Sequence, residues 1–321
     1  MGTGMRYRRC GNSGVLLPEV SLGLWHNFGV ASDKQTCREL IGRAMDLGIC
    51  HFDLADNYGP PPGSAEETFG YLLKNEFMGH RDEMFISTKA GHLMWPGVYG
   101  DWGSRKHLIA GINQSLRRMN LEYVDVFYHH RPDPETPLEE TLQALIDIVR
   151  SGKALYIGLS KYPADILKQA CAILRAEKVP CLLHQVRYNL LNRECEAEVL
   201  PTTKQVGAGC VAFSPLAQGM LTGKYVCAQI PENSRAADKT SVFLNEEKIQ
   251  ADMARVVRLK QVADDAGLSL TELSLRYLLQ QSEVSSVLIG ARTCEQLEQC
   301  ASVAGKAPLE DELMQVLRKL V

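Results

Sequence analysis

The residues of this chain most capable of chemistry sit where short apolar runs end. Ile49-Cys50-His51-Phe52 runs into Asp53, and Tyr58 follows on the way to Gly59-Pro60-Pro61-Pro62-Gly63, a stretch that continues neither strand nor helix. Phe85-Ile86-Ser87-Thr88 ends in Lys89, and Asp125-Val126-Phe127-Tyr128 ends in His129, His130 and Arg131. Taken singly these residues are ordinary. An Asp and a Tyr close a loop, a lysine at a strand end reaches for water, and a histidine there is a satisfied structural group. Taken together they suit proton chemistry: a buried Lys-Asp pair beside a phenol would lower the tyrosine pKa toward working pH, and an imidazole would polarise a carbonyl. A lysine left unpaired and desolvated would instead suit the Schiff-base chemistry of a lyase or isomerase.

Groups from separate runs need a scaffold that delivers strand ends to one place. The chain alternates short apolar runs with amphipathic helical stretches. The runs end near Trp25 and Phe52, or span Met84 to Thr88, Val124 to Tyr128, Leu155 to Leu159, Leu182 to Val186, Cys210 to Phe213 and Val284 to Ile289. That makes about eight strand-helix units, the count of a (β/α)8 TIM barrel, whose post-strand loops converge on one face. A doubly wound sheet competes, but no GxGxxG opens a first helix. Capping boxes mark helix starts at Ser32 with Gln35, Ser64 with Glu67, Thr136 with Glu139, Ser269 with Glu272 and Thr293 with Gln296. Leu138, Leu142, Leu145, Ile146 and Val149 recur on one helical face, as do Ile109, Ile112, Leu116 and Met119 behind Ser104. Tyr7 to Leu17, around Gly11-Asn12-Ser13-Gly14, reads as an N-terminal β-hairpin that plugs one end of the barrel, and a helix closes the C-terminus. No hinge composition divides residues 1–321, and the irregular stretch Ser214 to Asn245 has the character of a functional loop.

The composition, 45% hydrophobic and 23% charged over 321 residues, is that of a chain able to bury a large core. A net charge of -3 and a pI near 6.3 argue against a nucleic-acid or anionic-membrane surface. No apolar run approaches the length of a membrane span. Met1-Gly2-Thr3-Gly4-Met5-Arg6 carries neither a signal-peptide core nor a myristoylation motif. Ten cysteines without a CxxC pair or a His/Cys cluster support neither disulfides nor a metal site, and fit a reduced, cytoplasmic setting.

The strand-end residues resemble those of the aldo-keto reductases, NADPH-dependent carbonyl reductases built on a (β/α)8 barrel. By position Asp53, Tyr58, Lys89 and His130 match that family's catalytic tetrad, with His130 preferred over His129 because Arg131 and then Pro132 follow it. The segments from Ser21 to Gly29, from Asn57 to Ser64 and from Pro215 to Tyr225 are similar to a bacterial branch of the family related to the β-subunits of voltage-gated potassium channels. That kinship implies reduction of small aldehydes, with glyceraldehyde 3-phosphate and methylglyoxal as substrates. It also implies a homo-oligomer, since relatives assemble as tetramers or octamers.

The resemblance carries the cofactor positions over one at a time. Ser160 and Gln185 match the groups that hold the nicotinamide carboxamide, and Phe213 matches the aromatic on which the ring stacks. Ser214, Leu216, Gly219 and Lys224 match the loop over the pyrophosphate, with Arg235 in its continuation, and Gly290, Arg292 and Gln296 match the segment at the adenosine 2′-phosphate. Trp25 is counted with the cofactor-binding positions, and with Trp95 and Trp102 is a candidate wall for the substrate pocket. The chain departs from the family pattern where Lys161 replaces an Asn after the carboxamide serine, and where Gln299 and Cys300 replace the Glu and Asn of the adenine side. Arg131, Lys161 and Arg187 could be phosphate ligands or ordinary charges. A nucleotide-sensing regulatory protein with slow reductase activity, akin to the channel β-subunits, is the alternative function.

Overall fold

The computed structural model describes residues 4–226 and 246–320. Two short strands, β1 (Tyr7–Arg9) and β2 (Leu16–Pro18), pair antiparallel. The next eight strands are β3 (Val20–Gly23), β4 (His51–Asp53), β5 (Phe85–Ala90), β6 (Val124–His129), β7 (Ala154–Ser160), β8 (Cys181–Arg187), β9 (Gly209–Phe213) and β10 (Val284–Ile289). They pair in parallel, each with the next, and β10 closes on β3 to complete the predicted barrel.

Helices α1 (Lys34–Asp46), α2 (Ser64–Leu72), α3 (Arg105–Met119), α4 (Leu138–Arg150), α5 (Ala164–Ala176) and α6 (Val199–Gln205) follow successive strands. Helices α7 (Glu246–Asp265) and α8 (Leu270–Leu279) lie between β9 and β10, and α9 (Cys294–Ala301) and α10 (Asp311–Leu320) come after the last strand. The stripes packed on the barrel are those read from periodicity: Leu142, Leu145 and Ile146 of α4 and Ile112 and Met119 of α3 are fully buried. Each such side chain contributes roughly 1.5–3 kcal/mol by leaving water.

Helix starts divide by local chemistry. Ser104, Ser269 and Thr293 cap α3, α8 and α9 by accepting from the amide three residues on. The other boxes are displaced. Asp33, not Ser32, accepts from the Thr36 amide at 2.8 Å, because its carboxylate is the stronger acceptor at the positive end of α1. Ser64 is already helical behind Gly63, whose φ of 92° no side-chain residue takes easily, and its hydroxyl turns back to the Pro61 carbonyl. Pro137 occupies the cap position of α4, and Asp133 rather than Thr136 gathers the loop amides ahead of it.

The interior of the barrel is split. One half is apolar, with Val126, Tyr128, Leu183, Val211 and Leu288 packed together, and Cys10 and Leu17 of the hairpin close it from the N-terminal ends of the strands. Gly158 makes room for the Tyr128 ring, since a Cβ there would lie 2.2 Å from it. The hairpin is seated by the Asn12 amide on the Gly207 carbonyl at 2.9 Å and by Arg8, which donates to Glu19 and to the Val284 carbonyl. The other half of the interior is polar and carries the residues described next. Among the described residues no helix is long and apolar enough to cross a membrane, and every cysteine is free.

Candidate active site

Period-two alternation turns His51 and Asp53 of β4, and Ser87 and Lys89 of β5, toward the same barrel interior. Registers Phe52 with Ile86 and Asp53 with Ser87 then set the two strands side by side. Lys89 lies within β5 and is completely buried, as is Asp53. Its ammonium donates to Asp53 Oδ2 at 2.5 Å and to the Leu54 carbonyl at 2.6 Å, and lies 3.5 Å from the Tyr58 hydroxyl. A lysine so paired is poorly suited to attack a carbonyl, which counts against Schiff-base chemistry.

Of the adjacent histidines, His130 is the one whose ring meets Tyr58, edge-on at 5.9 Å between centroids. His129 points elsewhere and shares a hydrogen bond of 2.6 Å with the Tyr162 hydroxyl. Burial, then Lys89 and its other basic neighbours, hold the His130 imidazole well below its ordinary pKa, so it is neutral. Tyr58 departs from expectation. Burial, then the Asp53 and Asp56 carboxylates, push the phenol well above its ordinary pKa, because Asp53 answers the charge on Lys89 at closer range. The phenol is therefore protonated at neutral pH and available as a donor.

Sequence reasoning missed the support behind this group. Ser87 donates to Asp53 Oδ1 at 2.6 Å, His51 bridges Ser87 at 3.0 Å and Ser21 at 2.8 Å, and Ser21 meets Ser286 at 2.6 Å. Burial draws the His51 pKa down to about 4, so the ring is neutral and carries one proton. With Asp53 as terminal acceptor, the directions follow: Ser286 donates to Ser21, Ser21 to His51, His51 to Ser87, and Ser87 to Asp53. The signal lay in polar residues at alternate places of otherwise apolar strands. Asp56 is also buried beside the site, and burial, then Glu66, raise its carboxyl well above the usual range.

The residues assigned to a nicotinamide dinucleotide gather at the same strand ends. Ser160, fully buried at the end of β7, has a hydroxyl with no hydrogen-bond partner in the described structure, as suits a group reserved for a carboxamide. Gln185 pairs in register with Ser160, and its amide donates to Asp53 Oδ1 at 3.2 Å. Phe213 is half-buried at the end of β9. Ser214, Ala217, Gln218 and Gly219 then take φ values of 54°, 46°, 59° and 96°, a run that concentrates backbone amides in the manner of a phosphate-binding loop. Leu216 lies within that turn, and Lys224 returns its side chain to Gly219. Arg235, and the part of the expected functional loop at residues 227–245, lie outside the described residues.

At the far end Gly290 and Arg292 are exposed, the Arg292 amide donates to Gln296 Oε1 at 3.0 Å, and both lead into the N-terminus of α9. These residues fit a dinucleotide whose nicotinamide reaches Tyr58 and whose phosphates meet backbone amides and a guanidinium. Gln299 is exposed, whereas Cys300 is buried in the core. Trp25 comes within 6.2 Å of the Tyr58 ring, between centroids. Trp95 packs on His107, and Trp102 lies beneath the Arg131 guanidinium.

A parallel barrel with this constellation at the C-terminal ends of its strands defines an oxidoreductase. Residues 19–321 match the model of the aldo/keto reductase family, and the chain belongs to that family. It is 51% identical over 299 residues to the L-glyceraldehyde 3-phosphate reductase of Escherichia coli (strain K12), covering 92% of this chain and 86% of that one. It is also 35% identical to a probable voltage-gated potassium channel subunit beta of Oryza sativa subsp. japonica, over 95% of this chain and 93% of that one. The corresponding protein of Arabidopsis thaliana matches at the same identity and coverage.

Proposed function

We propose that the chain reduces small aldehydes, glyceraldehyde 3-phosphate and methylglyoxal among them, to alcohols with NADPH. The observation that carries this reading is the convergence of a protonated, partly buried Tyr58 with the Lys89–Asp53 pair and neutral His130 beside an unpartnered Ser160 hydroxyl. Bound NADPH would supply the hydride for the carbonyl carbon. Tyr58 gives its proton to the oxygen as negative charge develops there, and His130 orients and polarises that oxygen. Lys89, fixed by Asp53, stabilises the phenolate left behind, and the chain from Ser286 to Ser87 holds the Asp53 carboxylate in place. Ser160 and Gln185 hold the carboxamide, Phe213 stacks on the ring, and Trp25 walls the cleft. Gly219 and Lys224 cover the pyrophosphate, and Arg292 with the start of α9 selects the 2′-phosphate.

Tyr58→Phe tests the assignment. Consumption of NADPH with these aldehydes should fall by about 10²–10⁴-fold, while NADPH still quenches the protein fluorescence with unchanged affinity. Turnover retained in the variant would remove Tyr58 from the mechanism. A nucleotide-sensing role is favoured by the relatives named as channel subunits, but their identity is 35% against 51% for the reductase, and the site is furnished for chemistry. A single domain, a cytoplasmic setting and a tetrameric or octameric assembly belong to the same proposal.

A further inference from the structure

Beside the carbonyl pocket stands a basic cluster delivered by three strand ends: His92 after β5, Arg131 after β6 and Lys161 after β7. Arg131 already has its counter-charge. Its guanidinium donates to Asp101 Oδ1 at 2.7 Å and to the Gly91 carbonyl at 2.8 Å, and lies 3.7 Å over the Trp102 ring. Arg187 is exposed at the end of β8 and joins none of these contacts.

Lys161 differs from both. Its ammonium donates to His92 Nε2 at 3.3 Å, lies 5.7 Å from the centroid of Phe213, and pairs with no carboxylate among the described residues. The backbone there is left-handed, with φ of 62°, a conformation that costs a lysine energy and that the surrounding structure must impose. The His92 ring stands edge-on to that of His130 at 4.4 Å between centroids, so this cation is one imidazole away from the group that faces the carbonyl. Because Nε2 accepts from the ammonium, the ring hydrogen of His92 sits on Nδ1, and the pair offers an anion both a charge and a neutral donor. Although Lys161 is an exposed residue, the cleft walls around its ammonium, then Lys89 and Arg131, lower its pKa to about 8. An arriving anion would relieve that crowding of like charges.

Building on the reductase reading above, we propose that Lys161, with His92 beside it, is the subsite that holds the terminal phosphate monoester of a short aldehyde whose carbonyl lies between Tyr58 and His130. The geometry fits a short chain, since carbonyl and phosphate are separated by little more than the His92 ring.

The test uses the full chain loaded with NADP(H), as wild type, Lys161→Met and Lys161→Arg. Rates are measured with glyceraldehyde 3-phosphate and with glyceraldehyde, the same aldehyde without the phosphate. Binding of glycerol 3-phosphate, the alcohol that reduction would yield, is measured by calorimetry and needs no turnover. In Lys161→Met, kcat/KM for the phosphate ester should fall about 10- to 100-fold, mainly through KM, as for a lost hydrogen bond to a charged group. The value for glyceraldehyde should stay within about twofold, glycerol 3-phosphate should weaken in parallel with the ester, and Lys161→Arg should keep most of both. An equal loss for both aldehydes with a raised KM for NADPH would overturn the proposal and give Lys161 to the cofactor. Wild type binding glycerol 3-phosphate no better than glycerol, or no change in either variant, would also overturn it. Lys161-dependent binding of glycerol 3-phosphate by a protein that reduces neither aldehyde would support the subsite and refute the reductase reading alone.

Discussion

Replacing Asp53 by Asn should strand the Lys89 ammonium in a site with no access to water. Both groups are completely buried, and burial already lowers the Lys89 pKa against the opposing pull of Asp53. Without the carboxylate the lysine sheds its proton rather than remain an unpaired buried charge. From an unfolded pKa near 10.4, being neutral at pH 7 costs about 1.36 kcal/mol for each of ~3.4 units, or about 4–5 kcal/mol. That agrees with the roughly 3–5 kcal/mol lost when one partner of a buried pair is removed. The sign of its pH dependence follows. The unfolded chain binds a proton that the folded variant does not, so stability rises with pH until the unfolded lysine also titrates. At pH 9 the penalty should be about 2 kcal/mol. Asp53→Asn/Lys89→Met removes both groups and serves as the reference in denaturant unfolding at each pH. The gap between the single and double variants should close by about 2.7 kcal/mol from pH 7 to pH 9. Parallel pH dependences, or a loss below about 1 kcal/mol at pH 7, would show that Lys89 does not depend on Asp53 as the geometry requires.

Other outcomes follow from neighbouring features. His51→Leu leaves the Ser21 and Ser87 hydroxyls without their shared partner, and should cost about 2–4 kcal/mol in urea unfolding at neutral pH. Because the His51 pKa is about 4 when folded, wild type loses stability as pH falls from 6.5 toward 4, and the variant should lose about 3 kcal/mol less over that span. Ser160→Ala should weaken NADPH binding about 5- to 10-fold in a fluorescence titration while leaving the thermal midpoint unchanged or raised, since the deleted hydroxyl is buried without a partner. Asp33→Ala should lower the thermal midpoint and Ser32→Ala should not, in line with the cap observed on α1.

The barrel was legible because its information is local. Apolar runs separated by amphipathic stripes give the strand and helix count, and a strand end followed by a polar residue gives the face on which function gathers. The Asp53, Lys89, Tyr58 and His130 constellation was legible for the same reason. Contacts that depend on stagger between strands were not. His51, Ser87 and Ser21 stand far apart in the sequence inside largely apolar runs, and only the register of β3, β4, β5 and β10 brings them into one chain of hydrogen bonds. The Tyr58 pKa failed as an expectation for a related reason, since burial and the second carboxylate at Asp56 outweigh the lysine. Lys161 could be seen as a departure from the family pattern, but its want of a carboxylate partner among the described residues depends on where Asp101 points. The displaced caps at Asp33 and Pro137 show the limit of reading helix starts when adjacent residues compete for the same amides.

The hairpin at the barrel's closed end bears on the order of folding. Residues 7–18 precede every strand of the barrel in the chain, yet their seat is built from β6, β8, β9 and β10, and Arg8 and Arg9 bond to Val284 and Ser285 across a sequence separation of 276 residues. Nothing nearby in the chain can bury Leu17 and Cys10 in this way. The plug must therefore wait until β10 has been made, and its docking joins the segment ahead of β3 to the strand that closes the barrel in a late, high-contact-order step.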